Sequence, residues 1–67
     1  MLAEDPEVRF NRATLLAAVG RHAEAVADFT ASGDAPDSRR GRAMALRALG
    51  RDAEADGDLR ACAAAQA

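Results

Sequence analysis

Sixty-seven residues with a net charge of −2 make one small domain with no general pull toward nucleic acid or an anionic membrane surface. Nineteen Ala stand against thirteen larger apolar residues, there is no Trp, Tyr, Ile or Lys, and all nine basic residues are Arg. No apolar run approaches the roughly 20 residues of a membrane span.

Residues 1–5 read as an N-terminal tail, acidic and without the basic and apolar regions of a secretion signal. Asp5-Pro6-Glu7 supplies an N-cap, a Pro at the first helical position and an acid in the first turn. Val8, Leu15, Leu16 and Val19 then recur at helical spacing until Gly20, which suits a left-handed C-terminal position. A second helix is expected from His22 to Ser32, with Ala25, Val26 and Phe29 on one side, ended by Gly33-Asp34-Ala35-Pro36. A third covers Pro36 to Leu49 and stops at Gly50. The fourth runs from Asp52 to about Ala64, with 65–67 as a C-terminal tail.

The fourth helix reads as the weakest, because Asp56 replaces Val26 and Gly57 replaces Ala27. A mid-helix Gly costs about 1 kcal/mol relative to Ala, and the last residues of the Ala-rich tail Ala61–Ala67 are expected to fray. No segment alternates with period two, so strands are not expected. The fold class is all-α: four helices in two antiparallel hairpins.

The two hairpins are one unit written twice, thirty residues apart. Pro6/Pro36, Arg9/Arg39, Arg12/Arg42, Ala13/Ala43, Leu16/Leu46, Gly20/Gly50, Arg21/Arg51, Ala23/Ala53, Glu24/Glu54, Ala25/Ala55 and Asp28/Asp58 coincide, and Phe29 answers Leu59. A unit of this length cannot bury its own apolar face and stacks on its neighbour. The expected core is Ala13, Leu16, Val19, Ala25, Val26, Phe29, Ala43, Leu46, Leu49, Ala55 and Leu59.

Ala13 and Ala43, Leu16 and Leu46, the Gly-Arg turns, the Ala-Glu-Ala segments at 23–25 and 53–55, the anchors Phe29 and Leu59, and small Ser32 and Cys62 together resemble the tetratricopeptide repeat. The resemblance spans 6–32 as one repeat and 36–64 as a second. It implies a fragment of a right-handed superhelix and a protein-binding role. The period is 30 residues rather than the family's usual 34. The Pro-to-Gly distance of fourteen residues is kept, so the second helix of the unit is expected to be about one turn short. Arg9, Arg12, Arg39 and Arg42 stand where the family usually has large apolar residues, and His22 and Asp52 replace a frequent aromatic.

The resemblance places a ligand against the first helix of each hairpin. On a helical wheel, Glu7, Phe10, Asn11, Thr14, Ala17 and Ala18 share the arc opposite Val8, Leu15, Leu16 and Val19. The third helix answers with Asp37, Arg40, Gly41, Met44, Arg47 and Ala48. Phe10, Asn11, Thr14, Arg40, Met44 and Arg47 are therefore the expected peptide-binding residues, suited to an extended peptide with an acidic group and an apolar anchor. Asn11 matches a family position that grips a C-terminal carboxylate, although the accompanying lysines are missing. The alternative is an ordinary solvated helix face.

The Arg39, Arg40, Arg42 and Arg47 cluster faces Asp52, Glu54, Asp56 and Asp58 across the second hairpin, and pairing within the chain is expected over phosphate contact. No aromatic residue interleaves these arginines to stack bases. Asp52–Leu59 imitates the start of a calcium loop but has Ala63 where the bidentate Glu belongs, so a helix is expected there. His22 and Cys62 are single residues at structural positions, and neither suggests a metal site. Cys62 cannot form an internal disulfide, which suits a reducing compartment.

No nucleophile, base and orienting group can be assembled, so neither an enzyme nor a cofactor is expected. The sequence reads as a cytoplasmic protein-interaction module, bacterial in style from its Ala and Arg content. Two alternatives stand beside that reading. One is a self-assembling structural module, a homodimer for example, since Leu2, Val8, Leu59 and Cys62 place apolar groups at the ends of a short stack. The other is a scaffold or regulatory piece of a longer repeat protein.

Overall fold

The computed structural model describes residues 5–33 and 35–66. They form four α-helices and no strand: α1 Pro6–Ala18, α2 His22–Ala31, α3 Pro36–Ala48 and α4 Asp52–Gln66. The punctuation foreseen in the sequence works as chemistry. The Asp5 carboxylate caps α1 by accepting the Glu7 N–H at 2.8 Å, and Pro6 takes the first turn where no N–H is needed.

Both hairpin turns close alike. Gly20 and Gly50 take φ of 86° and 78°, a region that costs a Cβ-bearing residue dearly. The Arg21 N–H then reaches the Leu16 carbonyl at 2.9 Å and the Gly20 N–H reaches Ala17 at 3.2 Å. In the second hairpin Arg51 donates to Leu46 at 2.8 Å and Gly50 to Arg47 at 3.0 Å. These paired bonds satisfy the last carbonyls of α1 and α3 and turn the chain back on itself.

Each hairpin packs internally, α2 packs on α3, and α1 touches α3 more lightly. The shortened second helix is seen in α2, which has 10 residues against 13 in α1. It is not seen in α4, whose 15 residues stay helical through Gln66, where fraying was expected.

The molecule is a slab of 36 × 27 × 15 Å, little thicker than one helix with its side chains, about 10–12 Å. A slab so thin encloses small residues best. Ala13, Ala25, Phe29 and Ala45 form one buried cluster and Ala43, Leu46 and Ala55 another, with Val26 packed against both. Gly41 lets α3 approach α2, since a Cβ there would sit 2.5 Å from the Phe29 ring.

Two expected core residues are outside it: Val19 is 70% exposed and Leu49 41%. Each is the C-cap residue beside the turning glycine, so the helical face that would have carried it inward has already ended. Conversely, Cys62 is buried and Leu59 half-buried rather than lying bare at an end. The Cys62 thiol rests 3.7 Å from the Pro36 carbonyl, under the start of α3. Val8 is exposed as expected, and Leu2 lies outside the described residues.

Candidate interaction face

The six expected binding residues lie on two helices, three on each. On α1, Asn11 and Thr14 are exposed, and the Thr14 hydroxyl donates to the Phe10 carbonyl at 3.0 Å. Phe10 behaves differently. Its ring meets Phe29 edge-on, with centroids 5.6 Å apart at 70°, and is half-buried against the first core cluster. This arrangement suits the ring quadrupoles and fixes Phe10 in place. It also lines a hollow of about 230 Å³ with Pro6, Glu7, Ser32, Asp37 and Ser38. There the N-terminal ends of α1 and α3 come together.

On α3, Met44 is 69% exposed. Arg40 and Arg47 flank it in sequence, and both are held in exposed ion pairs: Arg40 with Asp37 at 3.5 Å, Arg47 with Asp56 at 3.2 Å. Arg40 also points a guanidinium nitrogen at the Cys62 sulfur, 3.9 Å away. Exposed pairs of this kind contribute about 0–1 kcal/mol and exchange partners readily. Gly41 leaves the expected arc, because it is the seat of the Phe29 ring. Between them α1 and α3 carry an exposed thioether, two guanidinium groups in surface ion pairs, an amide and a hydroxyl, and Phe10 alone of the six lines the hollow.

The strongest electrostatic feature lies elsewhere. Asp28 is nearly buried on α2 and accepts two bonds from Arg12, Nε at 2.7 Å and Nη2 at 3.0 Å, plus one from Arg9 at 3.4 Å. Asp58 repeats this on α4 with Arg42, Nε at 2.7 Å and Nη2 at 2.5 Å, and with Arg39 at 3.4 Å. The bidentate hydrogen bonds from Arg12 and from Arg42 hold each carboxyl below its ordinary value of 3.8, outweighing the opposite effect of burial.

These two clasps explain why arginine stands at positions 9, 12, 39 and 42, where the resemblance led one to expect apolar residues. The signal was present in the sequence: the aspartates at 28 and 58 keep the same register as the arginines. Arg42 adds a link between hairpins, donating to the Thr30 hydroxyl at 3.2 Å.

The pairing expected across the second hairpin is present in Arg39–Asp58, Arg42–Asp58 and Arg47–Asp56. Glu54 is taken by Arg51 instead. The acids of Asp52–Leu59 lie on the first turns of α4, pointing around a helix rather than converging. Sequence reasoning did not foresee Ser38. It is buried at the mouth of the hollow and its hydroxyl shares a 2.7 Å hydrogen bond with Ser32.

Among the described residues no helix is long and apolar enough to cross a membrane. Comparison with family models, curated proteins and solved structures gives no match.

Proposed function

We propose that this chain is a protein-interaction module of tetratricopeptide type. In this reading it works in the cytoplasm and binds an extended peptide along the face that α1 and α3 share. The observation that carries the reading is the exposed Met44 on the same helix as the surface-paired Arg40 and Arg47, together with a hollow lined by Phe10 at the N-terminal ends of α1 and α3. A flexible thioether adapts to apolar side chains of varied shape. Arg40 and Arg47 can leave their surface partners for a peptide carboxylate at little cost, because those pairs are weakly held in water. Asn11 and Thr14 add groups that can bond a peptide backbone.

The test is an amide-shift titration with two peptides that share one leucine and differ in carrying aspartate or asparagine. Shifts are expected at Phe10, Asn11, Thr14, Arg40, Met44 and Arg47, with tighter binding of the acidic peptide. Replacing Arg40 and Arg47 by Gln is expected to weaken the acidic peptide several-fold, by about 1 kcal/mol, and to spare the neutral one. Shifts confined to α2 and α4, or equal loss for both peptides, would overturn the reading.

A further inference from the structure

The molecule contains one stacking contact in full and one half of the same contact left open. The full contact is α2 on α3. Phe29 sits over Gly41, Ser32 bonds Ser38, Thr30 accepts from Arg42, and Ala45 is buried in the Phe29 cluster. Thirty residues earlier, the same stripe of α1 carries Val8, Asn11 and Leu15 in place of Ser38, Gly41 and Ala45. There Val8 is 53% and Leu15 68% exposed, and Val19 continues the stripe. Three large apolar side chains at positions i, i+7 and i+11 on one solvent-facing stripe have no function in an isolated slab.

The hollows tell the same story. Beside the second hairpin is a space of about 290 Å³ walled by Arg42, Leu46, Arg51, Glu54 and Asp58 and lidded by Val26 and Thr30 of α2. Beside the first hairpin the equivalent space, walled by Arg12, Leu16, Arg21, Glu24 and Asp28, measures about 480 Å³ and has no such lid. In the repeat register, the residues of α4 at the lid positions are Asp56 and Arg60. One acid and one base, four residues apart, would meet a wall that offers arginines and carboxylates. At the crossing point α4 carries Leu59 where α2 has Phe29, a smaller side chain opposite an α1 that is bulkier by Asn11 and Leu15.

From this register we infer that a second copy of the chain covers α1, docking its α4 there as α2 docks on α3. The contact joins unlike surfaces and does not close on itself, so copies add head to tail. It continues an interface the fold already contains, and it places α1 of one copy beside α3 of the next. One helix face buries less area than a standard stable interface, so association is weak, in the range of about 0.1–1 mM. The docking stripe shares Asn11 with the peptide face but leaves Thr14, Arg40 and Met44 outside it, and either contact can fail without the other.

The experiment is sedimentation of the whole chain from about 10 µM to 2 mM, a range that brackets such a dissociation constant. Weight-average mass is expected to rise continuously past that of a dimer. Leu15→Asp, which blocks α1, and Asp56→Arg, which reverses charge on α4, should each stop growth beyond the monomer. Mixed together they should form a one-to-one pair, since each retains the face the other lacks. Val8→Asp and Arg60→Glu serve as a second couple should circular dichroism show lost helix in either of the first. A wild-type chain that stays monomeric throughout would overturn the inference. So would Asp56→Arg associating alone as well as wild type, the mark of an α1-to-α1 contact, or a mixture that fails to pair.

Discussion

Gly41 and Gly57 both sit inside helices, and the same substitution should act on them in opposite directions. At Gly57 an added Cβ meets nothing within 4 Å. Gly57→Ala is therefore expected to stabilise the chain by up to about 1 kcal/mol, the difference in helix propensity. At Gly41 that gain is overwhelmed, because the new methyl would lie 2.5 Å from two atoms of the Phe29 ring. Gly41→Ala is expected to destabilise by about 1–3 kcal/mol as the helices are forced apart. Urea denaturation of the two variants measures both signs. The companion Phe29→Leu should make the Gly41 substitution nearly harmless, and persistence of the full penalty in that background would exclude the ring as its cause. Nothing in the local sequence distinguishes these glycines, since the Phe29–Gly41 contact exists only once α2 lies on α3.

The helices were legible where a boundary is set by local chemistry: Asp5 and Pro6 at a start, Gly20 and Gly50 at the stops. The difference in length between α2 and α4 was not legible. Gly33 closes α2 in a left-handed turn at φ 113°, whereas Cys62 and the alanines after it simply continue α4. The clasps belong to this scale, since each ties two helices of a hairpin. They share geometry but not setting. The Arg12 side chain is 45% exposed and the Arg42 side chain 17%, because α2 lies over the second clasp. A double-mutant cycle to Ala should therefore give a larger coupling for Arg42–Asp58, about 1–3 kcal/mol, than for Arg12–Asp28, about 1 kcal/mol or less. Equal couplings would show that cover by α2 does not matter.

At the scale of the whole molecule, the clasps impose a dependence on acidity. Both aspartates are held below 3.8 in the folded chain by their hydrogen bonds to Arg12 and Arg42. A carboxyl depressed in this way stabilises the fold fully at pH values above its unfolded pKa. That stabilisation is lost as the pH falls through the lower, folded value. Thermal melts should therefore change little from neutral pH down to about 4 and fall steeply below it. The double variant Asp28→Asn, Asp58→Asn should be less stable at pH 7 and lose the acid limb, and an unaltered limb would assign it to other carboxyls.

Only the coarse plan of the molecule was readable in advance. Two identical sets of turn residues dictated two hairpins, whereas the thinness of the slab, with Val19 and Leu49 turned outward at the caps, is a property of packing. The exposure of Asn11, Thr14 and Met44 follows from helical periodicity. That of Phe10 does not, since its orientation is decided by a ring on another helix.

The Phe29 ring seated over Gly41 also acts as joinery with a direction. The tenon comes first in the chain and its mortise twelve residues later, so the two halves are not interchangeable even though they are near duplicates. A third unit spliced between them would have to bring both parts, a bare α-carbon near its beginning and an aromatic ring near its end. A unit appended at either margin is free of that double demand. Lengthening by gene duplication is thus easiest at the outside of this chain, and recombination within it is filtered by a single pair of residues.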